Sequence, residues 1–471
     1  MARLTVDTAS TTTTATTTNT GSRPLVFCVY VSGHGWGHAT RANQIISDIL
    51  KLPAQHKIYV VSNASDFIFQ GVIQLGAIYR QADIDAGVVQ PLAYTVDRDQ
   101  TIANLKLFLE RRPETLTKEA QWLKQVGADC VVCDAPFLPC AAAAKAGIPA
   151  AIASNFTFDE VYKGLCEGDE LDQEIRQMVE TTIEDYRNAD LLIRLPGAIR
   201  IPSFDDSENL VPVTPITTSF PDELKKTDKG VVNGKMQLPC TSQSNVRSSN
   251  RKRPSYERRI VDVPLVFRKY HTDREQVLQG LGVPREVYES NKILLLSFGG
   301  QALGKGGWVD PLPSGWICIV CCAPDGVTLP HNFYRASRDA YVPDLTNAAD
   351  VVLGKLGYGT CSECIGHRTP FVYVPRPQFI EEYGLLKLMH DQGSAVELKR
   401  EDFEMGYWGE AIEAASRLSG RCEEPERLVA HNGGQIAAKT LERFVAEWNQ
   451  SNRIPLDQVA EEQTSIPVEA L

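Results

Sequence analysis

The chain has no long hydrophobic run. None of its apolar segments approaches the roughly 18 to 20 residues that a helix needs to cross a bilayer. The amino-terminal stretch MARLTVDTASTTTTATTTNT contains no apolar core of the kind found in signal peptides. Membrane insertion and secretion are therefore not expected, and the sequence predicts a cytoplasmic protein.

An excess of positive charge is also missing. The 471 residues include 59 acidic and 48 basic side chains, which gives a formal net charge of −11. A net charge of this sign disfavours general affinity for polyanions, so no nucleic-acid partner is expected. The rest of the composition is that of a globular protein, with 43% hydrophobic residues, and the length is enough for two domains of ordinary size.

Three segments lack apolar periodicity. Residues 1–22 are rich in threonine, residues 203–259 are rich in Ser, Asn, Lys and Pro, and residues 451–471 form a polar tail. Such segments bury too little apolar area to offset the entropy lost on ordering, so they are predicted to be disordered. Residues 203–259 are interpreted as a mostly disordered insertion between two domains. The basic run NRKRPSYERR inside the insertion is interpreted as a solvated charge run or, alternatively, as a nuclear import signal.

Cysteines occur at metal-ligand spacing, but their context does not support a metal site. Twelve cysteines include three CxxC pairs. The pairs in DCVVCD and WICIVCC fall in runs typical of buried strands, where side chains three apart point to opposite faces and cannot share a tetrahedral ion. Cys361 and Cys364 lie near a predicted helix start, where a redox role is the alternative to ordinary buried thiols. Neither a metal nor an organic cofactor is predicted.

Short apolar runs alternate with amphipathic segments of helical length. The runs PLVFCVYVS, KIYVVS, CVVCDAP and PAAIAS are followed, after the insertion, by KILLLSFGG, WICIVCC, AYVP, DVVLG and PFVYVP. Runs that are apolar on both faces and separated by helices indicate a parallel sheet covered on both sides. We therefore predict an α/β protein with two doubly wound Rossmann-like domains, residues 23–202 and 260–450, that face an interdomain cleft.

The stretch VSGHGWGHATR contains three glycines, which have no side chains to pack, where a buried strand is predicted to end and a helix to begin. Gly33, Gly35 and Gly37 would let backbone amides face a ligand at the positive end of that helix, which favours an anion. The spacing fits neither the dinucleotide fingerprint nor a P-loop, and a tight turn without a ligand is the alternative. His38 is a candidate general base, whereas His34 is either a second site residue or a histidine satisfied by backbone.

Asp134 ends a later parallel strand, in VVCDAP. Its carboxylate is therefore expected near the same cleft, where it would orient the imidazole of His38. The alternative is that Asp134 caps the turn that follows it.

A second strand, glycine-rich turn and helix occur in DVVLGKLGYGTCSECIG. Gly357, Tyr358, Gly359 and Thr360 would offer backbone amides to a diphosphate. Glu363 lies three residues after Thr360, so it is interpreted either as part of a capping box or as an acceptor for ribose hydroxyl groups. Two such loops across one cleft would provide separate places for a donor and an acceptor.

Six stretches together resemble a known family. They are SGHGWGHATR, VVCDAPFLPCAAAAKAGIPAAIASNFTFDEVY, VDVPLVFRKYHTDREQV, LLLSFGGQ, YVPDLTNAADVVLGKLGYGTCSE and PFVYVPRPQFIEE. In number and order they closely resemble the glycosyltransferase-like amino-terminal half of plant-type L-arabinokinases, over nearly all of residues 24–420 apart from the insertion. That half is similar in turn to the GT-B glycosyltransferases of family 28, which use UDP-sugars.

The resemblance implies a GT-B fold, a UDP-sugar donor and a hydroxyl acceptor. The first loop would face the acceptor. On the donor side, Val342 would offer its backbone to the uracil, residues 357–360 would hold the diphosphate, Glu363 would bind the ribose, and Gly299 and Gly300 would complete the site. The implied reaction is glycosyl transfer, with the histidine of the first loop as base and no metal.

Two departures from the family patterns matter. A sugar kinase domain follows this half in arabinokinases, whereas this sequence stops without its glycine-serine-rich phosphate loop, so sugar kinase activity is not expected. Many GT-B enzymes place Asp-Gln or Gln-Gln where this chain has Glu381 and Glu382, which would accept sugar hydroxyl groups but repel a diphosphate unless cations or helix amides intervene. The alternative to an enzyme is therefore a nucleotide-sugar-binding or regulatory module without catalysis.

Overall fold

The computed structural model describes residues 23–205, 257–299, 311–323, 328–418 and 430–452. The segments predicted to be disordered therefore lie almost entirely outside the described residues, and so does Gly300. None of the helices within these ranges is both long and apolar enough to cross a membrane.

A parallel sheet of seven strands forms the first half of the molecule. Its strands are β1 (Val26–Val31), β2 (Lys57–Ser62), β3 (Ile78–Gln81), β4 (Cys130–Asp134), β5 (Ala150–Ser154), β6 (Leu191–Arg194) and β7 (Arg259–Asp262). They lie in the order β3-β2-β1-β4-β5-β6-β7, and every neighbouring pair is parallel. The central strands β1, β4 and β5 are buried almost throughout, as their apolar sequences predict for a sheet covered on both faces.

Helices cover both faces of this sheet. They are α1 (Trp36–Leu50), α2 (Gln70–Gln74), α3 (Arg98–Gln125), α4 (Leu138–Ala146), α5 (Phe158–Lys163) and α6 (Leu171–Tyr186). The 28-residue helix α3 begins at Asp97, whose side chain accepts a hydrogen bond from the amide of Gln100. That bond satisfies one of the amides left free in the first helical turn.

The second half repeats the same architecture with six strands. These are β8 (Lys292–Ser297), β9 (Trp316–Val320), β10 (Phe333–Arg335), β11 (Val351–Lys355), β12 (Phe371–Val374) and β13 (Ala395–Glu397), in the order β10-β9-β8-β11-β12-β13, again all parallel. The helices are α7 (Arg274–Gly280), α8 (Arg285–Ser290), α9 (Val342–Ala348), α10 (Tyr358–His367), α11 (Glu381–Gln392), α12 (Arg400–Met405), α13 (Gly409–Ser416) and α14 (Gly433–Ser451). The predicted α/β class with two doubly wound sheets is confirmed.

The run AYVP, which the alternation suggested as a strand, is instead the start of a helix. Helix α9 begins at Val342 with Pro343 in its first turn, a position where the missing amide of proline is not needed. The edge strand before it is β10, which has only three residues: Phe333 and Tyr334 are partly buried and Arg335 is exposed, so it lacks the continuous apolar run of a covered strand.

Two elements near the expected domain limits pack on the first domain. Strand β7 pairs with β6, with Arg259 opposite Leu191, so the first sheet continues past the limit expected at residues 259 and 260. Helix α14 packs on α1, and a Cβ at Gly434 would overlap the carboxylate of Asp48. The chain therefore passes from the first domain to the second and back again.

In both sheets the strand order reverses at one point. The reversal lies between β1 and β4 in the first sheet and between β8 and β11 in the second. Ligands of open α/β sheets bind beyond the carboxyl ends of the strands at such a point. One apolar cluster joins side chains of α1, α10 and α14 to both sheets, so the two reversal points are held against each other.

Candidate functional site

The loop after β1 contains one glycine that serves packing and one that serves the helix start. The amide of Gly33 donates to Asn63 Oδ1 at 2.8 Å, and a Cβ at Gly33 would overlap that oxygen. Gly33 therefore allows the loop after β2 to approach, and it does not line the cleft. Gly35 precedes the first residue of α1 with a φ of 109°, which side chains other than glycine rarely tolerate.

The side chains of His38, Asp134 and Arg41 form a buried cluster beside the cleft. His38 Nδ1 lies 3.1 Å from Asp134 Oδ1, and Arg41 Nε donates to Asp134 Oδ2 at 2.7 Å. Arg41 Nη2 also donates to Asp134 Oδ1 and, at 2.9 Å, to the hydroxyl of Ser154, while Nη1 donates to Asn155 Oδ1. Only 2% of Arg41 is exposed. The carboxylate is therefore shared between a histidine and a fully engaged guanidinium.

This hydrogen bonding decides the tautomer of His38. Arg41 Nη2 also lies 3.0 Å from His38 Nδ1, but its two hydrogens are already taken by Asp134 and Ser154. Nδ1 therefore carries the proton and donates it to Asp134, and Nε2 is left as an acceptor. A base that faces a substrate hydroxyl needs this arrangement.

The pKa of Asp134 reflects the same contacts. Burial alone would raise the pKa of this carboxyl group, but the charge of Arg41 and the hydrogen bonds from Arg41 and His38 lower it below its usual value. Asp134 does not cap the following turn, because α4 starts after Phe137 without any side-chain cap. The interpretation of Asp134 as a cap is therefore wrong.

His34 lines the cleft and pairs with a buried carboxylate. Its Nε2 lies 3.3 Å from Asp85 Oδ1, and the backbone at Gly87 lies directly against the ring. Burial would lower the pKa of His34, but the hydrogen bond and charge of Asp85 raise it above its usual value. A side-chain carboxylate, rather than backbone, thus satisfies this histidine.

The turn between β11 and α10 is the counterpart of the loop between β1 and α1, and we call these two turns the corners of the cleft. In the second corner, Gly357 precedes the first residue of α10 without a side-chain cap. A Cβ added to Gly359 would lie 2.6 Å from Thr40 Oγ1 and 3.6 Å from the Cα of Gly37. Only glycine at position 359 allows the first turns of α10 and α1 to come this close. Gly357, Tyr358, Gly359 and Thr360 all line the cleft into which α1 also opens.

Glu363 and Val342 lie outside the residues that line this cleft. The helix starts at Tyr358, so Glu363 is in its second turn and forms no capping box with Thr360; that interpretation is wrong. Glu363 is buried and its Oε1 pairs with Arg268 at 2.9 Å. The pKa of Glu363 is raised because burial outweighs the charge of Arg268.

Lys355, the last residue of β11, is a cation that the sequence did not single out. It lines the cleft near Gly299, and within the described residues its amino group has no hydrogen bond or ion pair. Burial and the nearby Arg376 lower the pKa of Lys355 to about 7, although Glu381 and Glu382 act in the opposite direction. At neutral pH this side chain is therefore poised between its two charge states.

Arg376 neutralises the acidic pair at the start of α11. Its Nε pairs with Glu382 Oε1, its amide donates to Glu382 Oε2 at 2.8 Å, and its Nη2 lies 3.2 Å from Glu381 Oε1. Burial raises the pKa of Glu382 to about 7, against the charge of Arg376. Glu381 lines the cleft and Glu382 lies behind it. The expected repulsion of a diphosphate is thus offset by a buried arginine.

The cleft is lined by both domains and is open to solvent. The predicted site residues that line it are His34, Gly35, Gly37, His38, Gly299, Gly357, Tyr358, Gly359, Thr360 and Glu381. Three basic residues that the sequence analysis did not single out also line the cleft: Arg41, Lys355 and Arg376. The signals for them were weak: Arg41 follows His38 by three residues and so shares its helix face, and the other two directly follow apolar runs.

Cys361 and Cys364 lie inside α10 and are both buried. Burial raises the pKa of each thiol, so neither is a thiolate at neutral pH. A redox role needs a thiolate, and buried structural thiols are inert.

Two solved structures that match nearly the whole chain are those of glycosyltransferases. The glycotransferase of kitacinnamycin matches with a TM-score of 0.54 and 16% identity, covering 89% of this chain and 99% of that one. A UDP-glucosyltransferase from Polygonum tinctorium matches with a TM-score of 0.53 and 12% identity, covering 90% and 99%. The chain therefore has the GT-B fold. No family model matches the chain.

One relative is more similar in sequence. L-arabinokinase from Arabidopsis thaliana is 34% identical over 426 residues, which make up 89% of this chain and 34% of that protein. The chain thus spans about a third of the length of this relative. The resemblance inferred from the six stretches is confirmed.

Proposed function

We propose that the protein transfers a sugar from a UDP-sugar to a hydroxyl acceptor. One observation carries the proposal: the helix starts at the two strand-reversal points meet at a single cleft, where Gly37 and Gly359 come close together. The first domain contributes a histidine with an acceptor nitrogen, and the second contributes Lys355, whose amino group has no partner among the described residues. Two positive helix ends this close favour an anion between them.

The second domain is proposed to hold the donor. The first amides of α10 have no acceptors within the helix, so they can donate to a diphosphate together with Lys355. Val342 at the start of α9 would meet the uracil. Glu363 would accept from the ribose through Oε2, since Arg268 contacts its Oε1. The α10 amides and Lys355 would stabilise the negative charge that develops on UDP as it leaves.

The first domain is proposed to supply the base. The acceptor hydroxyl gives its proton to His38 Nε2 while its oxygen bonds to the anomeric carbon, and the bond from that carbon to the diphosphate oxygen breaks with its electron pair on UDP. Asp134 fixes the ring through Nδ1. Because Arg41 already balances its charge, Asp134 acts mainly by orienting the imidazole.

The proposal of a module without catalysis rested on the repulsion expected from Glu381 and Glu382. Arg376 contacts both carboxylates, so this argument loses its force. The module remains as one outcome of the test below.

The test combines binding with turnover. Calorimetry with UDP and a series of UDP-sugars should show binding, and a ligand at a hundred times its dissociation constant should add about 2.7 kcal/mol to the free energy of unfolding. UDP release should then appear with a suitable hydroxyl acceptor. Binding without release under any acceptor would indicate the module, and no binding across the whole uridine series would overturn the proposal.

A further inference from the structure

The cleft wall beside His38 is apolar and aromatic. We call the side chains of Val88, Phe156, Phe158 and Val161, which all line the cleft, the aromatic wall. The His38 ring lies 5.4 Å from the Phe156 ring and 6.2 Å from the Phe158 ring, measured between centroids. Any acceptor that reaches His38 therefore rests against this wall.

Among the described residues on this side of the cleft, the groups that can carry positive charge already have carboxylate partners, His34 with Asp85 and Arg41 with Asp134. Among the described first-domain residues that line it, Arg41 is the only arginine or lysine, and its guanidinium is engaged by Asp134, Ser154 and Asn155. The other two cations of the cleft, Lys355 and Arg376, belong to the second domain. An acidic acceptor would thus find no partner for its charge beside the aromatic wall.

Two buried carboxylates lie near the aromatic wall. Asp85 pairs with His34 and is 3% exposed, and Asp159, next to Phe158, is 1% exposed. Both act on the hydroxyl group of Tyr162, whose ring stacks on that of Phe158 at 5.5 Å. Burial raises the pKa of Asp159 to about 7, so this group is partly ionised at neutral pH. The field of these two carboxylates therefore opposes a phosphate or carboxylate on the acceptor.

Gln90, which also lines this side of the cleft, has a side-chain oxygen that lacks a donor among the described residues. This oxygen, Oε1, is buried. A hydroxyl group from a ligand would satisfy it. A purely apolar ligand would leave it unpaired, and a buried unpaired acceptor costs about 1 to 3 kcal/mol.

We propose that the acceptor is a small, uncharged polyol of the sugar type. It lies with a C–H face on the aromatic wall, gives one hydroxyl hydrogen to Gln90 Oε1 and presents another hydroxyl to His38 Nε2. This inference rests on the proposed function and specifies its acceptor: the products are a disaccharide and UDP.

The test is calorimetry in saturating UDP, which fills the anion site at the helix starts. The probes are a panel of neutral pentoses and hexoses, the hexose 6-phosphates and uronic acids, and 2-naphthol as a planar apolar ligand. At least one neutral sugar should bind about tenfold more tightly than its acidic derivatives and than naphthol. An acidic sugar or naphthol that binds as tightly as the best neutral sugar, or no neutral sugar binding at about 10 mM, would overturn the proposal.

A variant sharpens the result. Gln90→Leu should weaken binding of the neutral sugar about tenfold, leave UDP binding unchanged and leave naphthol binding unchanged or stronger. Gln74→Leu, at an exposed position on α2, is the matched control and should change nothing. Unaltered sugar binding by Gln90→Leu would contradict the role of this oxygen.

Failure of the proposed function gives a different result. If UDP does not bind, the proposed function is wrong, and the same panel is titrated into the protein alone. The same order of affinities is then expected there, and any other order overturns the acceptor class. If UDP and a neutral sugar bind but no UDP-sugar is turned over, the acceptor class stands and catalysis does not.

Discussion

The two sides of the cleft share one architecture and differ in how their charges are balanced. Each side is a strand, a glycine-rich turn and a helix at the point where the strand order reverses. On the first side, Arg41 and Asp134 satisfy each other and leave His38 with one oriented, proton-accepting nitrogen. On the second side, Lys355 has no partner among the described residues. The first side is thus organised to hold a neutral group in place, and the second to receive negative charge.

The difference between the two sides can be tested by substitution, and the largest effect is expected at His38. His38→Ala should lower turnover about 10²- to 10⁴-fold, because it removes the base from the transition state. The affinity for UDP, measured by calorimetry, should stay within about twofold, since the nucleotide is held by the other side. His390→Ala, at a side chain that is 87% exposed, is the control. Turnover near that of the unmodified protein would show that His38 is not the base.

Arg41 tests whether the first side depends on its balanced charges. Arg41→Met leaves Asp134 buried without its main partner, so the free energy of unfolding in urea should fall by about 3 to 5 kcal/mol. Adding Asp134→Asn should recover part of this loss, because the unpaired charge is then gone. The control, Arg23→Met, breaks a pair with Asp129 in which the arginine side chain is 63% exposed and should cost at most about 1 kcal/mol. Equal losses for both arginines would contradict this account.

Lys355 tests the charge response of the second side. An anion at the helix starts favours the charged lysine, so UDP binding at pH 7 should take up about half a proton, seen as a difference in binding enthalpy between two buffers. Because the pKa of free Lys355 is about 7, the affinity should fall as the pH rises above 7. Lys355→Met should weaken binding about tenfold and abolish this part of the uptake.

The control for this lysine is Lys387→Met, which removes an exposed cation on α11. It should leave both affinity and proton uptake unchanged. Proton uptake that persists in Lys355→Met would have to come from another group, and Lys355 would then not meet the anion.

The smallest effect is expected where the two sides touch. Gly359→Ala places a methyl group 2.6 Å from Thr40 Oγ1 and should separate the helix starts slightly, weakening UDP binding a few-fold, about 1 kcal/mol. Thr40→Ala removes that oxygen, so the double variant should regain affinity. A double variant no better than Gly359→Ala would indicate that the contact between α1 and α10 is not what the glycine protects.

The fold was predictable because the sheets are parallel and covered on both faces. Strands such as KILLLS are apolar at nearly every position, a pattern that few other structures produce. The sequence did not predict the edge strand β10, because it has only three residues and ends in the exposed Arg335, so no continuous apolar run exists there.

The site was predictable only where a backbone signal exists. Glycine-rich turns mark both corners, and the chain brings His38 and Gly359 to one cleft. Gly33 shows the limit of that signal, because its freedom serves contact with Asn63, 30 positions further along the chain. Arg41 could not be recognised, since its burial depends on Asp134, 93 positions away. A buried ion pair between distant residues produces no hydrophobic periodicity in the sequence around either residue.

The return of α14 to α1 constrains how the cleft can open. The chain passes from the first domain to the second after β7 and is back on the first domain at α14. The two domains are therefore connected by two segments of the chain. The close approach of Gly37 and Gly359 limits how far the two lobes can move toward each other at the helix starts.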